Sequence, residues 1–73
     1  MDHLAFAKYI VRELDNARII EGVSRKEMAD RMGMFKGDVS RMLNTPRNLS
    51  IAVINRFLMV LGKRARIVIE DDE

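Results

Sequence analysis

Three glycines constrain the fold of this 73-residue chain more than any other feature, because each lies where a stretch of helical spacing ends. Gly22, Gly33 and Gly62 can adopt the left-handed conformation that closes an α-helix. Between these glycines the apolar residues recur at steps of three and four, which is typical of amphipathic helices. The spacing predicts four helices, over residues 2–20, 25–32, 36–44 and 51–61.

Serine residues mark where two of these helices begin. Ser24 is followed three residues later by Glu27, which is the pattern of a capping box. Ser50 stands in the same place before residues 51–61, which are apolar nearly all round and are therefore predicted to form the buried helix. Pro46 disfavours helix at the residue before it and predicts a turn between the third and fourth helices. The positions predicted to be most buried are Leu14, Val39, Ile54, Phe57, Leu58 and Leu61.

The pattern changes after Gly62. Apolar and charged residues alternate over residues 64–70, which predicts a short β-strand. Since every earlier segment is predicted to be helical, the backbone of this strand would have to pair outside its own chain. We expect an antiparallel pair with a second copy, through Ala65, Ile67, Val68 and Ile69. A frayed tail and pairing with another subunit's sheet are the alternatives.

Composition restricts the class of protein. A domain of this size buries only roughly 60% of its unfolded surface, so a partner subunit would help to stabilise it. The absence of Cys excludes disulfides and thiolate metal sites, and the single His3 cannot assemble a zinc site or a catalytic triad. No nucleophile with an adjacent base and no phosphate-binding loop is present, so we expect neither an enzyme nor a cofactor.

Location and charge follow from the same sequence. The longest apolar run, residues 57–61, is far shorter than the roughly 20 residues that span a bilayer, and the first residues lack the pattern of a signal peptide. We therefore expect a cytoplasmic protein with no membrane association. The net charge is +2, but the last four residues are all acidic, and the rest of the chain has a net charge of +6. A basic body indicates a polyanionic partner.

Residues 24–44 meet the packing requirements of a helix-turn-helix. Ala29 provides a small side chain where the two helices cross, and Gly33 provides the reversal four positions later. Val39 and Met42 are spaced to anchor the second helix from beneath. The sequence therefore predicts an all-α domain over residues 1–63, followed by the strand and acidic tail over residues 64–73.

The same residues resemble a known family. Ser-Arg-Lys-Glu-Met-Ala-Asp-Arg-Met-Gly-Met-Phe-Lys-Gly-Asp-Val-Ser-Arg-Met-Leu-Asn, residues 24–44, looks like the central motif of the Cro/repressor-like, or XRE, DNA-binding domains. Asn-Leu-Ser at residues 48–50 and the apolar helix that follows are similar to the family's usual continuation. The resemblance covers about residues 4–62 and implies a small four-helix, lambda-repressor-like helix-turn-helix domain, here with a short C-terminal strand for dimerisation.

The resemblance also implies where DNA would bind. In this family the second helix of the motif, here residues 36–44, lies in the major groove with its first residues against the bases. Arg and Lys can donate to guanine, Asp can accept only from cytosine, and Arg25 would lie over the phosphates. The implied contacts are Arg25, Lys36, Gly37, Asp38, Ser40, Arg41, Asn44, Arg47 and Asn48.

Two positions within residues 24–44 depart from the family pattern. Phe35 stands where a small polar cap is common, and we predict a core side chain there, with an exposed wedge near the groove as the alternative. Asp38 would bring a negative charge close to the phosphates, which disfavours a contact with DNA. We predict instead that Asp38 is stabilised by the helix dipole in the first turn of the helix and reaches back to the Phe35 amide. A contact between Asp38 and a base is the alternative.

The function expected from these features is that of a sequence-specific transcriptional regulator. It would be a homodimeric repressor of its own or a neighbouring operon, bound to a palindromic operator in double-stranded DNA. The alternative is an antitoxin-type module that neutralises a toxin partner and also regulates its own synthesis. Such a module normally needs a segment that wraps its partner, and we expect only about ten residues beyond the DNA-binding domain to be available.

Overall fold

The computed structural model describes residues 1–46 and 49–72, and these residues form four α-helices and contain no strand. No helix within these ranges is long and apolar enough to cross a membrane. Each helix begins and ends within one residue of its predicted bounds, so the all-helical prediction is confirmed. The helices are α1 His3–Ile20, α2 Arg25–Met32, α3 Lys36–Asn44 and α4 Ile51–Val60.

Three of the four helices begin at a side-chain cap, and the caps at Ser24 and Ser50 confirm the predictions. The backbone N–H of Glu27 donates to the Ser24 hydroxyl at 3.0 Å, and Ser50 caps α4 in the same way. Asp2 caps α1 through its carboxylate. α3 differs, because Phe35 occupies its cap position and has no side-chain oxygen to accept a hydrogen bond.

The turn between α2 and α3 closes on a left-handed glycine. Gly33 has a φ of +66°, its N–H donates to the Asp30 carbonyl at 3.2 Å, and the N–H of Met34 donates to the Ala29 carbonyl at 2.9 Å. This pair of hydrogen bonds is a Schellman motif, which a side chain at the glycine position would strain. The glycines that follow α1 and α4 close those helices with the same two bonds.

The core lies between α2 and its neighbours. Met28, Met32, Val39 and Phe57 are fully buried, and Ala29 is 1% exposed. α1 covers one side of this core through Val11 and Leu14, and the remaining buried apolar residues are Val23, Leu43, Leu58 and Leu61. Burial is therefore confirmed for five of the six predicted core positions, and Ile54 is the exception because it is only half-buried.

The prediction that α4 is buried on nearly all sides is wrong. Phe57 and Leu58 face the core, but Ile51 is 85% exposed and Met59 is 65% exposed. α4 packs against α1 and α2, and these two helices cover only its inner side. Two large apolar side chains of α4, Ile51 and Met59, therefore face solvent in the single chain, on the side that also exposes Asn55.

Residues 63–72 run back along α1 in the opposite direction. Lys63 Nζ lies 2.8 Å from Glu21 Oε1 at the end of α1, and the Met1 ammonium lies 2.8 Å from Asp72 Oδ2 at its start. Between these ion pairs the segment has no regular secondary structure, and its apolar side chains point away from the core. The strand predicted for residues 64–70 is not formed within one chain, since nothing in the described part of the chain pairs with it.

Candidate nucleic-acid interface

The packing of α3 on α2 decides which side chains point outward. Val39 is fully buried and Leu43 is 7% exposed, so one side of α3 is fixed against the core. The opposite side carries most of the predicted contacts. Lys36, Gly37, Arg41 and Asn44 are exposed there, while Asp38 and Ser40 are half-buried at its edge.

Arg41 and Asp38 form an ion pair on this outward side. Arg41 Nη2 lies 3.5 Å from Asp38 Oδ1, and the Arg41 side chain is 74% exposed. The prediction that Asp38 reaches back to the Phe35 amide is wrong, because its carboxylate faces Arg41 instead. An exposed pair of this kind contributes about 0–1 kcal/mol, so Arg41 can exchange Asp38 for another partner at little cost.

Arg25, the first residue of α2, contacts both α3 and α1. Its guanidinium donates to the Asn44 side-chain oxygen at 3.2 Å and lies 3.5 Å from the Asp15 carboxylate on α1. Asp15 in turn accepts from Arg18 at 2.8 Å, and Arg18 also donates to the Val23 carbonyl at 2.8 Å. Arg25 therefore ties the first residue of α2 to the last residue of α3 and to α1.

A second arginine contact joins α2 to α4. Arg56 donates to the Met32 carbonyl at the end of α2, and Arg31 Nη1 lies 3.5 Å from the Val60 carbonyl at the end of α4. The carbonyl end of a helix carries partial negative charge, which favours a nearby cation. These two arginines join α2, on which α3 packs, to α4. Sequence patterns do not reveal them, because each arginine and its partner are more than 20 positions apart.

Phe35 is the largest departure from prediction at this surface. Its side chain is 81% exposed, so the predicted core position is wrong and the alternative of an exposed side chain holds. The surface beside it is open, because a Cβ added at Gly37 would meet no atom within 4 Å. An aromatic ring thus stands at the start of α3 beside Lys36.

The remaining predicted contacts divide into two groups. Arg47 and Asn48 lie outside the described residues. The four positions assigned to dimerisation, Ala65, Ile67, Val68 and Ile69, are all exposed on the segment that follows α4. Comparison of the chain with protein-family models, with curated proteins and with solved structures finds no match. Its function is therefore inferred from the geometry of its own residues.

Proposed function

We propose that this protein is a sequence-specific DNA-binding regulator, a repressor that reads the major groove with α3. The observation that supports this most strongly is the division of α3 into a fully buried side and an outward side with Lys36 and Arg41. α3 has nine residues and is about 14 Å long. The diameter of an α-helix with its side chains fits the roughly 12 Å width of the major groove. The resemblance of residues 24–44 to Cro/repressor-like domains supports the same docking.

The side chains suit separate tasks in this docking. Arg41 can leave Asp38 and donate two parallel hydrogen bonds to guanine, while Lys36 donates to guanine or to a phosphate. Arg25 serves the phosphate backbone and also positions α3 through its bond to Asn44. Asp38 then guides Arg41 and contacts no base.

Dimerisation forms part of the proposal. Ile67, Val68 and Ile69 are 83%, 77% and 91% exposed in the single chain. Antiparallel pairing of two copies of residues 64–70 would cover part of this surface and satisfy the backbone groups. Two copies would also supply two reading helices for a palindromic operator whose half-sites are about 34–36 Å apart.

Site selection from random duplexes, followed by salt-dependent affinity measurements, tests DNA reading. Arg41→Ala is expected to cost about 1–3 kcal/mol on the selected site and to relax preference at one base. Arg25→Ala is expected to weaken all sequences alike and to reduce the salt slope by roughly one unit. Arg12→Ala, an exposed arginine on α1, is the control and should change neither preference nor affinity beyond the loss of one distant charge. Unchanged affinity and preference in Arg41→Ala would contradict the role given to α3.

Removal of residues 63–73 tests the dimer contact. The shortened chain is expected to sediment as a monomer at micromolar concentration and to lose cooperativity on a duplex with two half-sites. Ile67→Asp should do the same in the 73-residue chain, and Lys8→Asp on α1 is the control. If the shortened chain remained dimeric, residues 63–73 would not be the dimer contact, and α4 would be the next candidate for it.

The exposed apolar residues of α4 favour a second candidate, an antitoxin whose partner is a toxin. Ile51 and Met59 lie on α4, which has no part in the proposed DNA contact, and both are exposed. Purification of the tagged chain from its native source would recover the toxin under this proposal, and Ile51→Asp would release it. Both functions are compatible with a cytoplasmic location.

A further inference from the structure

Phe35 combines two features that the fold alone does not require. Its ring is 81% exposed, so it adds nothing to the core. It also occupies the cap position of α3, where Ser, Thr, Asp or Asn would accept a backbone N–H and Phe cannot. The start of α3 therefore carries a side chain that suits neither the inside of the protein nor the helix end.

The surroundings of Phe35 narrow what could cover it. Gly37 is open, because a Cβ built on it would meet no atom within 4 Å, and Lys36, which follows Phe35 directly, is exposed. Under the proposed function the start of α3 faces the base edges of the major groove, so the ring would meet an apolar group of a base. The major-groove edge of thymine has such a group, its C5-methyl, next to the phosphate backbone.

We infer that Phe35 contacts the C5-methyl group of a thymine in the operator and so determines specificity at one base pair. This inference rests on the proposed function, because it requires the start of α3 to enter the major groove. Insertion of the ring between base steps is a minor-groove mode and does not fit a helix docked in the major groove. Gly37 has no side chain that would stand between the first turn of α3 and the base edges.

The test replaces single thymines of the selected operator by deoxyuridine, which lacks only the methyl group. With the wild-type protein, deoxyuridine at one such position is expected to weaken binding about fourfold, the effect of burying one methyl group. With Phe35→Ala, thymine and deoxyuridine at that position should bind equally well. Phe6→Ala is the control, because Phe6 is also partly exposed but lies on α1, and it should retain the preference for thymine.

Each outcome of this experiment has a distinct meaning. If the wild-type protein selects an operator, but every loss of affinity caused by deoxyuridine persists in Phe35→Ala, the inference is wrong and the proposed function remains. If the wild-type protein shows no preference among duplexes, the proposed function fails and the inference fails with it. If Phe35→Ala changes the sedimentation of the protein without changing base preference, the ring contacts protein and the inference is overturned.

Discussion

The helix-turn-helix pair, α2 and α3, and the segment that follows α4 use apolar residues in opposite ways. In the pair, Met28, Met32 and Val39 are exposed by 1% or less, whereas Ile67 and Ile69 are exposed by more than 80%. A helix satisfies its own backbone hydrogen bonds, so its apolar side can pack against a neighbour in the same chain. An extended segment has no hydrogen bonds between its own residues, so its backbone groups need water or a second strand as partners. The first region therefore buries its apolar residues within one chain, and the second leaves them exposed.

Overpacking the helix crossing should give the largest effect. Ala29 is 1% exposed, and Ala29→Leu is expected to destabilise the fold by about 1–3 kcal/mol or more because the added carbons have no space. Chemical denaturation measures the loss. Ala52→Leu places the same side chain on the exposed part of α4 and should stay within about 0.5 kcal/mol of wild type. Equal midpoints for the two variants would show that Ala29 is not at a tight crossing.

The arginine contact between α4 and α2 should give a smaller loss. Arg56→Ala removes the donor to the Met32 carbonyl, and we expect a cost of about 1.5 kcal/mol, which is typical of a hydrogen bond made by a charged group. The same denaturation measurement applies. Arg66→Ala, in the segment after α4, is the matched control and is expected to leave the midpoint unchanged. A midpoint for Arg56→Ala that coincides with the control would mean that the contact does not stabilise the fold.

Truncation of an apolar residue in the C-terminal segment should hardly affect a single chain. Ile67 is 83% exposed, so Ile67→Ala is expected to change the free energy of unfolding by less than about 0.5 kcal/mol at dilutions where the protein is monomeric. At higher concentration the variant should be less stable than wild type, because pairing with a second copy is weakened. A large loss in the dilute monomer would show that the segment packs on its own chain.

Tyr9 reports on the position of the same segment with the smallest expected effect. The pKa of Tyr9 is raised above its ordinary value, first by a hydrogen bond to Glu13, then by the charge of Glu13 and by desolvation, and last by the charge of Glu70. These interactions favour the protonated phenol. Their contribution to stability is therefore present below the ordinary pKa of tyrosine and is lost as the pH rises through the raised pKa. The chain has one Tyr and no Trp, so alkaline absorbance follows this phenol alone.

Two variants separate the causes of that pKa. Glu13→Gln should lower the pKa of Tyr9 the most, and Glu70→Gln should lower it slightly. Asp30→Asn, on α2, is the control and should leave it unchanged. A pKa that does not respond to Glu70→Gln would mean that the C-terminal segment does not lie along α1 in solution.

The sequence predicted what depends on neighbouring residues. Ser24 and Gly33 fix the ends of α2 through bonds to residues no more than five positions away, so local rules were sufficient. Those rules failed for Phe35, whose exposure depends on how α3 is rotated on the core. Local rules could not predict the Arg25–Asn44 contact either, because 19 positions separate the two residues and only the packed fold brings them together.

The contacts of Arg56 and Arg31 also bear on how the molecule opens. Each guanidinium lies at the carbonyl end of the other helix, so unwinding the end of α2 or of α4 removes a partner from both. We expect the backbone amide protons of these two helices to exchange with solvent as one cooperative unit. Arg41 pairs with Asp38 within α3 and contacts neither end of these two helices. We expect its replacement to leave the exchange of the unit unchanged, so this exposed position of α3 can vary while α2 and α4 keep their stability.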